Sequence, residues 1–168
     1  MKNQITNRKS KRIHLVAACL ILAFGPLTAE LLRADSGRGG PPGNVNQTFI
    51  FPGICGFDVQ LSVTGRSSVI NLPSGGLIIT APDVYGTLTN LSDPTKSVTL
   101  NFTGSVHISF DQNGDTIYMM TGRNQVEDPS FGLLLLVGDF TLVVDSNGNL
   151  ISGPTGNGQI TNICTMID

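Results

Sequence analysis

Two stretches of the chain set oxygen-bearing side chains at alternate positions, FDQNGDTI at 110–117 and VDSNGNLI at 144–151. Alternating carboxylate and amide oxygens are what a calcium loop supplies, so metal binding is the first chemistry to weigh. An EF-hand loop wants Gly at its sixth position and Glu at its twelfth. Counted from Asp111 and Asp145, the sixth residues here are Thr116 and Leu150, and the twelfth are Gly122 and Gly156. Asn-Gly between alternating apolar residues is instead a strong hairpin signal. The two stretches are therefore read as turns, and no metal site is expected. At an offset of 34, Gly104 aligns with Gly138, Asp111 with Asp145, Asn113 with Asn147, Gly114 with Gly148 and Gly122 with Gly156, which predicts an internal repeat of two related hairpins.

Other chemistry is sparse. Past the first 36 residues, His107 is the only histidine and Glu127 the only glutamate, so a Ser-His-acid device would have to use His107. No GxSxG elbow, HExxH helix or glycine-rich phosphate loop is present. His107 shares a face with Thr and Ser in KSVTLNFTGSVHISFD, which reads as a solvent-side strand position. Tyr85 and Tyr118 could donate a hydrogen bond inside a cavity, but the plainer reading is packing with the hydroxyl at the rim. The segment TGRNQVEDPSFG at 121–132 reads as a loop carrying Arg123, Asn124, Gln125, Glu127 and Asp128. Arg123 offers a planar fork for a carboxylate or similar anion, against the plainer reading of a local ion pair with Glu127 or Asp128. The candidate binding residues are thus Arg123, Asn124, Glu127, His107 and Tyr118. No catalytic residue and no cofactor is assigned, and the balance leans against an enzyme.

The elements that would position these residues begin after a leader. MKNQITNRKSKR is basic, IHLVAACLILAFG is apolar, and small residues follow near Ala29 and Ala34, the layout of a secretory signal peptide over 1–36 with cleavage near 29–36. The alternatives are an uncleaved membrane anchor, or lipid attachment at Cys19 within Val16-Ala17-Ala18-Cys19. No later segment reaches the ~20 apolar residues of a membrane span. After Ser36, four basic residues (Arg38, Arg66, Lys96, Arg123) face ten acidic ones, a balance of −6. That charge disfavours a phosphate-neutralising surface, so nucleic acid is not expected as a partner.

Two cysteines remain past the leader, Cys55 and Cys164, in a compartment where disulfides form, and they are expected to pair. DSGRGGPPG is too rich in Gly and Pro to pack, so 37–48 reads as a flexible arm and 49–168 as one β domain. Apolar-polar alternation predicts strands at 57–64, 67–72, 76–81, 84–91, 97–110, 115–123, 131–144 and 149–164. Links this short join antiparallel neighbours, giving an all-β meander of about eight strands. A bridge between Cys55 and Cys164 would draw the first and last strands together, which predicts a small closed or nearly closed barrel; the alternative is a β-sandwich.

The stretch running from CGF through TLNFTGSVH, FDQNGD, TGRN and GLLLLVGDFTLVVDSNGNL to GNGQITNIC resembles a group of small secreted actinomycete-type bacterial proteins of unknown function. That resemblance implies an exported bacterial protein with no catalytic residue to carry over. Under it, the Asn46, Asn90 and Asn101 triplets are chance matches to glycosylation acceptors. The expectation is a secreted, non-catalytic domain acting through its surface, with a cell-envelope partner. The alternative is a barrel holding a small apolar ligand, suggested by FGLLLLV, whose two faces are both apolar; an enzyme with a cavity site stands third.

Overall fold

The computed structural model describes residues 40–168 except 129. The leader, its cleavage site, Cys19 and the first residues of the arm lie outside the described residues. Eight strands follow one another: β1 (Gly43–Phe51), β2 (Val59–Asn71), β3 (Leu77–Asn90), β4 (Ser97–Asn101), β5 (Gly104–Phe110), β6 (Thr116–Asp128), β7 (Gly132–Val144) and β8 (Leu150–Asn162). A single 3-10 turn, Cys164–Met166, closes the chain, and there is no α-helix among the described residues. All pairings are antiparallel, in the order β1-β2-β3-β5-β6-β7-β8, with β4 also on β3.

The count of eight agrees with the punctuation, but the strands are divided differently. Gly65-Arg66 does not turn the chain but lies inside β2, and Pro82-Asp83 lies inside β3. The two face each other where the pairing slips between Arg66 and Ser68. A β-bulge absorbs the extra residue and bends both strands without ending them. Conversely, 97–110 crosses β3 as two segments, with β4 on Tyr85–Thr89 and β5 on Leu77–Ala81, interrupted at Phe102 and Thr103. The strand missed altogether is β1, which starts at Gly43 inside the expected arm and pairs with β2 along its whole length. Its only apolar alternation is Val45, Phe49 and Phe51 among Asn and Gln, too faint a signal after a Gly/Pro run.

Closure of the sheet, expected from the disulfide, is corrected. β1 and β8 are the two edges and do not pair, so the sheet is open. The Cys55–Cys164 bridge is formed, with Cα atoms 5.2 Å apart. Because β1 precedes it, Cys55 sits in the β1–β2 turn rather than at the start of the first strand, so the bridge joins a turn to a chain end and does not require edge strands to meet.

Instead the sheet folds over on itself around two apolar clusters. The first gathers Phe51, Val59, Leu61 and Val63 of β1 and β2, Leu88 and Leu100 of β3 and β4, Leu133 and Leu135 of β7, and Ile163 and Ile167 of the tail. The second gathers Ile79, Val106, Ile108 and Met120 with Leu134, Leu136, Phe140 and Leu142 of β7. The two-faced FGLLLLV segment is thus explained by protein: its odd leucines enter one cluster and its even leucines the other. The place where the sheet turns is marked by glycines. Gly104 pairs with Gly122, Gly122 with Gly138, and Gly138 with Gly158, a row of glycines across four strands. A Cβ on Gly104 would come 2.6 Å from the Thr121 carbonyl oxygen, and one on Gly122, where φ is 85°, 2.8 Å from that of Thr103. Such approaches are closed to other residues, which is how glycine permits a sharp crease in a sheet. On β7 the odd face is buried at Leu133 and Leu135, before the crease, and exposed at Asp139 beyond it.

Candidate functional site

The segment 121–132, expected as a loop, is mostly strand: Arg123 through Asp128 continue β6 past the crease, paired with Val137 through Gly132 of β7. This corrects the expected setting of three candidate residues. Asn124, Gln125, Glu127 and Asp128 are buried, Asn124 to 1 % exposure. Asn124 Nδ2 donates to the Thr121 carbonyl at 3.1 Å, and neither amide atom of Gln125 has a hydrogen-bond partner among the described residues. Asp128 Oδ1 accepts from the backbone N–H groups of Ser130 (2.7 Å) and Phe131 (3.0 Å), so its carboxylate shapes the β6–β7 turn. Arg123 is half-buried; its Nε donates to the Asn101 carbonyl at 3.1 Å and its backbone N–H to Thr103 at 3.0 Å. It therefore ties β6 to the β4–β5 interruption, a role its sequence neighbours Glu127 and Asp128 did not suggest.

His107 and Tyr118 are not brought together. His107 pairs with Met119 and Ile108 with Tyr118, so the two candidates sit on opposite faces of neighbouring strands. Tyr118 packs against the second cluster, and burial pushes its hydroxyl above the usual phenol range. His107 lies outward, as its Thr/Ser neighbours imply.

The Asp-rich stretches are turns. Asp111 Oδ1 accepts from the N–H groups of Asn113 (2.8 Å) and Asp115 (2.9 Å), and Asp145 Oδ1 accepts from those of Asn147 and Asn149 (both 2.8 Å). Each turn is closed by backbone bonds between its first and fifth residues, with Gly114 and Gly148 at φ 83° and 81°. This is the three-residue hairpin loop with glycine in the left-handed position rather than a two-residue Asn-Gly turn. The Asn149 side chain, which donates to Asp145 Oδ2 at 2.7 Å, and then its backbone N–H hold the Asp145 carboxyl below the usual range. Among the described residues no three His, Cys, Asp or Glu side chains are grouped to hold a metal.

Two surfaces remain that sequence reading did not single out. On β1–β4 the outward positions form a lattice set by register. Asn46, Thr64, Tyr85 and Asn101 make one row, Thr48, Ser62, Thr87 and Thr99 the next, and Ile50, Gln60, Thr89 and Ser97 the third. None is charged; Thr87 and Thr99 share a hydroxyl hydrogen bond of 2.8 Å, and Tyr85 is 44 % exposed. An Arg66–Asp83 pair at 3.9 Å closes the lattice at one end. On β5–β8, beside the glycine crease, a groove of about 320 Å³ lies between His107, Met119, Thr121, Asp139, Thr141 and Asn157. Its signal in the sequence is a polar residue beside each crease glycine (Ser105, Thr121, Asp139 and Asn157), legible only once the register is known. A second groove of about 380 Å³ is bounded by Phe131, Leu134, Pro154, Ile160, Asp128 and Asn162.

No helix among the described residues is long and apolar enough to cross a membrane. Comparison with family models, with curated proteins and with solved structures yields no match for the chain.

Proposed function

We propose that the chain is an exported, disulfide-stapled β domain, with its leader removed near 29–36, that acts through its outer surface rather than by catalysis. The observation that carries this reading is the distribution of charge. The three outward rows of β1–β4 are uncharged and bounded by the Arg66–Asp83 pair, while Asp58, Asp93, Lys96, Asp111 and Asp145 stand in the links between strands. Charge at the turns keeps a secreted domain soluble, and the broad strand faces stay free to meet a partner of the cell envelope. The disulfide supports an oxidising compartment. A bridged, nearly closed barrel describes the same open sheet if its edges approach without pairing.

A small apolar ligand is the second reading, favoured by the groove of Phe131, Leu134, Pro154 and Ile160, whose walls are apolar. Native mass spectrometry of the full chain expressed with its own leader and recovered from the medium separates the two. The surface reading expects a mass starting within 30–37, two hydrogens below the reduced value, with nothing retained. A co-purified apolar molecule would transfer the function to the groove, and a chain kept in the cell with its leader attached would overturn export.

A further inference from the structure

We infer that the groove beside the glycine crease is a binding site for a neutral carbohydrate. This rests on the surface reading above and names where the surface acts and on what. The crease supplies the shape. The row Gly122, Gly138 and Gly158 brings neighbouring backbones close together, and the groove lies on the face on which the next row, Thr121, Asp139 and Asn157, projects. At about 320 Å³ the groove falls at the small end of ligand sites, which run from about 300 to 1,000 Å³.

The chemistry narrows the ligand. Asp139 carries an exposed carboxylate, and neither it nor the His107 ring has a hydrogen-bond or ion-pair partner among the described residues. Around them stand hydroxyls: Ser105 and Thr121, bonded to each other at 2.8 Å, with Thr141 and Thr155 one row away. A lone carboxylate repels anions. One carboxylate and one imidazole are too few for calcium or magnesium, which take six or more oxygens. Vicinal sugar hydroxyls suit this set, since they donate in pairs to a carboxylate and exchange hydrogen bonds with Thr and Asn. Met119, 42 % exposed at the floor, and the His107 ring supply the apolar patch that a sugar ring's C–H face covers.

The test titrates the exported full-length chain with cello-, xylo- and chitohexaose, and a neutral mannan oligosaccharide, by saturation-transfer NMR and calorimetry. At least one probe is expected to bind, and Asp139→Ala and Thr121→Val should each weaken it tenfold or more. Tyr85→Ala, on the β1–β4 lattice, should leave it unchanged. Both groove positions are exposed, so melting of each variant checks that folding is intact. Binding lost in Tyr85→Ala but kept in Asp139→Ala would overturn the groove while leaving the surface reading standing. No binding by any probe, or unaltered binding by both groove variants, overturns the inference outright.

Discussion

Removing the disulfide is the sharpest test of how this open sheet is held. The bridge spans a sequence separation of 109 and closes nearly the whole described chain into one loop. On the chain-entropy model a loop of that length restricts the unfolded state by about 5 kcal/mol, a large part of the roughly 5–15 kcal/mol of a typical domain. Native contacts at the junction add to this. The Cys164 sulfur accepts from the Leu133 N–H at 3.4 Å, and Gly132, at φ 83°, leaves the space that Cys164 Sγ and the Ile54 carbonyl occupy. The double substitution Cys55→Ala with Cys164→Ala is expected to cost about 3–5 kcal/mol, allowing for measured gains below the model's. With a urea slope of about 1–3 kcal/mol/M, the midpoint should fall by about 1–5 M. The slope should also rise, because the released unfolded chain exposes more surface. Urea melts followed by circular dichroism, under conditions that keep the wild type oxidised, read both quantities. A loss below about 1 kcal/mol would refute the loop argument and mean that the β1–β2 turn is fastened by packing alone. Gly132→Ala, which crowds the same junction and leaves the covalent loop intact, should lower the midpoint with no change of slope.

The core and the turns make further predictions. Leu133→Ala empties a fully buried position of the first cluster and should cost about 3–5 kcal/mol in urea melts; a cost under 1 kcal/mol would mean that β7 does not pack over β1–β4. In Gly65→Ala the new Cβ would overlap the Asp83 carbonyl, at a φ of 136° that other residues rarely adopt, so hydrogen exchange should accelerate at the β2–β3 bulge; unchanged protection would refute the close approach. The folded-state pKa of Asp145 lies below its unfolded value near 3.9, so its stabilisation is present above that pH and is lost as pH falls through the folded value. The melting gap between wild type and Asp145→Asn should therefore be full at pH 6 and close toward pH 2, and a constant gap would sink the explanation. Calcium should raise the melting temperature no more than an equal ionic strength of sodium chloride.

What could be read from the sequence depended on whether the signal was local. The turns at Asp111 and Asp145 are self-contained, each carboxylate bonded to amides two and four residues on, so that they are turns was legible from composition, though not their loop length. The antiparallel meander followed from equally short-range features, and the disulfide, which spans 109 positions, from the two cysteines left past the leader. Strand boundaries, not their number, were misassigned because Gly and Pro serve both turns and bulges: Gly65 and Pro82 look like loop residues until the partner strand is known. The site residues fared similarly. His107 was placed outward correctly by its alternation, whereas Asn124 and Gln125 were taken as loop residues because buried amides resemble solvated ones in sequence. Asp139 went unremarked because its relation to Thr121, Asn157 and His107 is one of register across four strands.

The glycine crease joins stability to the proposed activity, and the two can be pulled apart. On one side of the crease β7 carries Leu133 and Leu135 into the first cluster; on the other, β6 and β7 carry Thr121 and Asp139 to the groove. A side chain at Gly138, whose Cβ would lie 2.8 Å from the Gly158 Cα, must spread β7 from β8 and disturb both at once. Asp139, one residue on, is exposed and bonds to nothing that holds the fold together, so its removal should disturb only the groove. Neighbouring positions on one strand thus serve different ends. A chain in which both substitutions melted alike and bound alike would have neither a crease nor a site there.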